Sequence, residues 1–196
     1  MIKTILFDFG GVLGSDADTI FLQVLESNGI TQAEGECLWE EHWPNLKLGK
    51  CGVDEIWKGF EERYGRRVDV GKIRKEYDAA ISINAEVLGF ARSLRDKGLR
   101  LAILANEARE WMQIKRQKGG LDQVFEKVYS SADIGLAKPD KRAYELVLRE
   151  MELKGEEVVF IDNMERNLVP AKDMGMRCIF FKGLLSLKEE LGRILG

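Results

Sequence analysis

The chain has 196 residues, with 30 Lys and Arg against 33 Asp and Glu for a net charge of −3, and 45% of its residues are hydrophobic. That composition suits one globular domain, or one plus a small insertion, at roughly 100–200 residues per domain. It lacks the basic excess that phosphate-backbone binding requires, so a nucleic-acid partner is excluded. No apolar run approaches the length of a membrane span, and the opening MIKTILFDFGG, broken by Asp8, is not a signal peptide. Cys37, Cys51 and Cys178 are odd in number and form no CxxC pair, which suits reduced thiols in a cytoplasmic protein. A single histidine, His42, leaves almost nothing for histidine-based zinc sites or Ser-His-Asp chemistry. Carboxylates, lysine and backbone remain.

Residues 2–7 form a short apolar run that stops at Asp8 and is followed by Gly10-Gly11, a buried strand feeding a tight turn. Residues 14–83 then carry no credible strand. They hold four helical stretches near 18–28, 33–43, 53–64 and 69–81, read as an inserted helical cap, with Ile56, Trp57, Phe60 and Tyr64 forming an apolar stripe. In the same block Arg63, Arg66, Arg67, Lys72, Arg74 and Lys75 alternate with acids, as on a solvated face, and Trp39, Trp43 and Trp57 suit the cap's core or a pocket wall. A helix over 84–97 follows, with Asn84 as its N-cap and Gly98 as its terminator.

Further strands are expected at 99–105, at 158–161 and at 178–181, with a weaker one within 123–129; helices are expected at 141–151 and 165–174. Continuous apolar strands alternating with helices predict an α/β fold, a Rossmann-like parallel sheet covered on both faces. Its core would be 1–13 and 84–196, with 14–83 as the helical cap. In such sheets ligands bind beyond the carboxyl ends of the strands. Asp8, Asn106 and Asp162 stand at three such ends, so they are expected to converge.

Each of these residues has an ordinary structural alternative. Asp8 before glycine suits a turn, and Asp162-Asn163 suits the N-cap of a helix starting near Met164. Lys138 in the polar turn GLAKPDK suits a solvated surface. Together, two strand-end carboxylates and a lysine held beside Pro139 suit a hard divalent cation and a phosphoryl group.

The whole set resembles the haloacid dehalogenase-like hydrolase superfamily, mostly Mg-dependent phosphatases. FDFGGVL (7–13) is similar to its first motif, LAILAN (101–106) to its second, AKPDKRAYELVL (137–148) to its third and VVFIDNMERNLVPAKDMGM (158–176) to its fourth. The resemblance implies Asp8 as the nucleophile that becomes an aspartyl-phosphate, Lys138 as the charge-neutralising lysine, and Mg2+ held by Asp8, Asp162 and the Gly10 carbonyl. It implies that Gly11, Ala105 and Asn106 bind the phosphoryl group, and that the insertion, including LKLGKCGVDEIWKGF (46–60), is the helical cap of the subgroup with small sugar-phosphate phosphatases and the N-terminal domain of soluble epoxide hydrolases.

Three positions depart from that pattern. Gly10 stands where a second aspartate usually protonates the leaving oxygen, Ala105 where Ser or Thr usually binds the phosphoryl group, and Asn163 where a second acid usually follows Asp162. The first reading is a phosphohydrolase for a small phosphorylated metabolite, with good leaving groups favoured because Gly10 removes the acid. The second is a catalytically weak protein of the same fold that binds a phosphorylated ligand or a protein partner. The third is a 2-haloacid dehalogenase: Tyr144 is compatible with it, whereas Gly10 and Asp162 oppose it.

Overall fold

The computed structural model describes residues 1–196. Five strands, β1 (Thr4–Phe7), β2 (Arg100–Ala105), β3 (Lys127–Ser130), β4 (Val158–Asp162) and β5 (Arg177–Phe180), form one parallel sheet in the order β3-β2-β1-β4-β5. β1 is central because Ile5, Leu6 and Phe7 are buried on both sheet faces, the condition for an interior parallel strand. Its register aligns Phe7 with Ile103 of β2 and Ile161 of β4. The chain fills one side of β1 with β2 and β3, then crosses to the other with β4 and β5. The β1/β4 boundary is therefore the switch point where strand order reverses and a crevice opens.

Helices α1 (Ala17–Ser27), α2 (Gln32–Leu46), α3 (Asp54–Tyr64) and α4 (Val70–Ala80) all lie between β1 and α5 (Ala85–Asp96). α6 (Arg109–Gly119), α7 (Ser131–Ile134), α8 (Lys141–Glu150), α9 (Glu165–Asp173) and α10 (Leu184–Leu195) complete the chain. α6, α7 and α10 are additions to the sequence reading, and α2 continues past residue 43 through Pro44, which removes one N–H from its last turn. Pro139 lies outside α8, whose N-cap Asp140 accepts from the Arg142 N–H.

The first four helices build their own core. Phe21, Leu38, Ile56, Trp57, Phe60, Ile73 and Tyr77 are buried together, joined by Ala108 and Trp111 from the sheet side. The basic stretch is paired off across these helices, Arg63 with Glu41 at 2.8 Å, Arg67 with Glu34 at 2.7 Å and Arg74 with Asp54 at 2.7 Å. Two chain segments join this block to the sheet. They meet through the Ser15 N–H donated to the Ser82 carbonyl (3.1 Å) and the Asn84 N–H donated to the Leu13 carbonyl (2.8 Å). Gly14 is required there, since a Cβ would stand 2.4 Å from the Ser82 oxygen.

A buried ion pair pins this junction. Lys115 of α6 and Glu107 after β2 are both almost fully buried and in direct contact. The Lys115 ammonium also donates to the Ser15 carbonyl and lies 4.6 Å from the Phe9 ring centre, so one cation ties the ends of β1 and β2 to the segment that enters the helical block. Lys115→Ala leaves the Glu107 carboxylate buried without its partner. It is expected to cost about 3–5 kcal/mol of stability, read as a lower urea midpoint at constant slope.

Candidate active site

Three side chains meet at the carboxyl edge of the sheet. Asp8 leaves the end of β1, Asp162 ends β4, and Lys138 comes from the loop before α8. The Lys138 ammonium lies 2.8 Å from Asp8 Oδ1 and 2.7 Å from Asp162 Oδ2, with all three residues buried. Strands β1 and β4 are neighbours, so the carboxylates flank the switch-point crevice.

Each group is held by further contacts. The Asp8 carboxylate accepts the Phe9 N–H at 2.6 Å. Asp162 Oδ1 accepts the Met164 N–H at 2.8 Å, and both its oxygens accept from the Asn167 amide at 3.1 and 3.0 Å. One oxygen of Asp162 orders the turn into α9 while the other faces the lysine, and the N-cap position itself belongs to Met164, which makes no side-chain cap bond. Asn106 secures Lys138 from β2. Its amide donates to the Lys138 carbonyl and its oxygen accepts the Lys138 N–H, both at 2.8 Å. Burial pushes the Asp8 carboxyl up to about 7, against the pull of the Lys138 charge, and repulsion from Asp162 adds to the rise. Two carboxylates thus share one ammonium in a dry setting.

A cleft of about 220 Å³ opens over this cluster, lined among others by Asp8, Gly10, Asn106, Lys138 and Asn163. Ala105 is buried beneath Asn106, and Gly11 turns at φ +67°. Gly11 has no room for a side chain: a Cβ would stand 2.0 Å from the Asn163 amide nitrogen. The helical block supplies the opposite wall. Trp39 and Trp43, stacked at 4.6 Å, face the cleft, whereas Trp57 packs inside the block. Tyr144 does not reach the cleft; it is buried and its hydroxyl donates to the Asn167 carbonyl at 2.7 Å.

One residue was missed by the sequence reading. Asp16, at the start of α1, lines the cleft beside Gly10. Its carboxyl lies above the ordinary aspartate range because of burial, with repulsion from Asp18 adding to the effect. It stands at the N-cap position of α1, and no local sequence signal separates that role from one in the cleft.

The haloacid dehalogenase-like hydrolase family model matches residues 2–175. The chain belongs to this family. It is 31% identical over 198 residues to a glyceraldehyde 3-phosphate phosphatase of Methanocaldococcus jannaschii, covering 90% of this chain and 83% of that protein. It is 32% identical over 134 residues to the bifunctional epoxide hydrolase 2 of Rattus norvegicus, a match covering 65% of this chain and 24% of that one. The chain thus spans about a quarter of that longer relative. A wild-type HAD family enzyme of Bacteroides thetaiotaomicron, solved with magnesium and inorganic phosphate, superposes with a TM-score of 0.74 at 22% identity, over 93% of this chain and 95% of that one. That likeness is one of fold. No helix is long and apolar enough to cross a membrane.

Proposed function

We propose that this chain is a Mg-dependent phosphohydrolase acting on a small phosphorylated metabolite through an aspartyl-phosphate, with residues 14–83 as its cap. The observation that carries the reading is Lys138 bridging Asp8 and Asp162 at the β1/β4 crevice. Asp8 is the nucleophile: its carboxylate is fixed by the Phe9 N–H and faces the cleft. Lys138 offsets the charge gathered by a phosphoryl group next to two carboxylates. Asn106 holds that lysine with its amide oxygen and one amide N–H, and its second amide N–H is left for a phosphoryl oxygen. Further phosphoryl contacts are left to backbone N–H groups such as those of Gly10 and Asn106, since Ala105 has no hydroxyl and the Gly11 N–H is given to the Gly14 carbonyl at 2.9 Å.

The donor set fits magnesium. Asp8, Asp162, the Gly10 carbonyl and the Asn163 amide oxygen are hard ligands, and no third His, Cys, Asp or Glu joins them in a closed metal cage. Magnesium is commonly held by one or two carboxylates, with waters and substrate phosphate completing the shell. When bound, the ion neutralises and orients phosphoryl oxygens.

The test is phosphate release from a panel of phosphomonoesters, including p-nitrophenyl phosphate, with and without Mg2+. Mg-dependent turnover supports the reading; its absence in every case favours a binding protein. The indole wall supplies contact with the organic part of the substrate. Trp43→Ala is expected to raise KM for p-nitrophenyl phosphate about tenfold with kcat nearly unchanged, the pattern of binding lost equally from ground and transition states.

A further inference from the structure

Position 10 carries no side chain, yet the space beside it is filled. A Cβ built on Gly10 would stand 2.5 Å from Asp16 Oδ1, and one built on Gly11 would stand 3.0 Å from Asp16 Oδ2. Both carboxyl oxygens of Asp16 therefore lie over the glycine turn that follows Asp8. Asp16 occupies the N-cap position of α1, with φ −71° and ψ 138°, but its side chain makes no capping hydrogen bond. The N-caps Thr31, Asp69, Asn84 and Asp140 all accept a backbone N–H of their helices. Lys115, whose ammonium donates to the Ser15 carbonyl, is also engaged by Glu107. Asp16 thus forgoes the local partner that its position offers and turns its carboxyl into the cleft that holds Asp8 and Lys138.

We propose that Asp16 is the proton donor and acceptor of phosphoryl transfer, supplying from α1 the carboxyl that position 10 lacks. The inference rests on the phosphohydrolase reading above. In the first step an Asp8 oxygen bonds to phosphorus as the bond from phosphorus to the ester oxygen breaks. The Asp16 proton passes to that departing oxygen, so the product leaves as a neutral alcohol. In the second step the Asp16 carboxylate takes a proton from water as the water oxygen bonds to phosphorus. The bond between phosphorus and Asp8 breaks, releasing phosphate, the free Asp8 carboxylate and Asp16 protonated once more. The preference for good leaving groups that Gly10 suggested then disappears, because the acid is present from another element.

The experiment compares the wild type with Asp16→Asn on p-nitrophenyl phosphate and on 2-phenylethyl phosphate, whose alkoxide is a poor leaving group. Asp16→Asn is expected to lower kcat on the alkyl ester by about 10²–10³-fold with little change in KM. On p-nitrophenyl phosphate it should release one rapid equivalent of nitrophenolate, then stall. Acid-quenched intact mass should then show one phosphoryl group retained by the variant and none by the wild type. Because Asp16 makes no cap bond, the variant should melt no lower than the wild type. Moving the carboxyl back, in Asp16→Ala combined with Gly10→Asp, should restore at least about tenfold of the activity that Asp16→Ala alone loses. The inference is overturned if Asp16→Asn stays within about threefold of the wild type on the alkyl ester. Equal losses on both esters without a retained phosphoryl group overturn it too. A wild type silent on both substrates with Mg2+ overturns the phosphohydrolase reading and this inference together; an active wild type with a silent effect of Asp16→Asn overturns this inference alone.

Discussion

Asp8→Asn is expected to abolish phosphate release and at the same time to raise the melting temperature of the metal-free protein. The first effect follows from loss of the attacking carboxylate, which no neighbour replaces, since Asp162 is held by Lys138, Asn167 and the Met164 N–H. The second follows from burial. The folded protein holds the Asp8 proton up to about pH 7, whereas an unfolded aspartate releases it near its ordinary value of 3.8. Between these values the folded state binds more protons than the unfolded one, so the wild type loses stability as pH rises across that window. By pH 8 the loss is complete and on the order of 2–4 kcal/mol, equivalent to roughly 5–10 °C for a chain of this size. Asparagine carries no charge into the site and removes this slope. Thermal melts at pH 5 and pH 8 in a chelating buffer measure it: the variant should gain on the wild type mainly at pH 8. A variant that melts lower at both values, or keeps the wild-type slope, contradicts the account.

Lys138→Ala should have the opposite effect on stability and the same effect on activity. Removing the ammonium leaves Asp8 and Asp162 facing each other in a buried crevice with no cation between them. Breaking a buried pair in this way costs about 3–5 kcal/mol, more at pH 8 than at pH 5 because Asp8 is then charged. Turnover should fall by about 10³-fold or more, since the lysine offsets charge in the step where most of it gathers. Added Mg2+ should recover part of the lost stability, because it supplies positive charge to the same two carboxylates. It should not recover the rate. Lys138→Arg should also fail, since a planar guanidinium does not fit a site shaped for a compact ammonium buried against the Phe160 ring at 5.4 Å. Urea midpoints and kcat with and without Mg2+ separate these outcomes.

Much of this arrangement was legible locally. The apolar runs ending at Asp8, Ala105 and Asp162 mark interior parallel strands, because only a strand buried on both faces is apolar throughout. The helical rhythm between Gly14 and Asn84 is similarly plain, since each of its four helices carries its own apolar stripe. Less was visible where polarity and periodicity disagree. α6 carries Arg109, Glu110, Lys115, Arg116 and Lys118 along its length, and its burial of Trp111, Met112 and Lys115 depends on elements distant in sequence. The narrower β3, Lys127–Ser130, is an edge strand whose first residue is exposed, so its pattern is weak.

The sequence by itself determined the fold class and the strand ends at Asp8 and Asp162, because hydrophobic runs and turn residues are encoded within a few neighbours; Lys138 enters through the resemblance to the third motif. Only the tertiary structure decided what the polar side chains around them do. Asn106 stands at a strand end with no visible partner until Lys138, 32 residues later, takes its oxygen and one of its two amide N–H groups. Asp16 looks like a helix cap until the turn at Gly10-Gly11 brings its carboxyl over the missing side chain. Which partner a polar group takes depends on three-dimensional approach, and the glycines of the first motif matter here as space: what they leave empty is filled from another element.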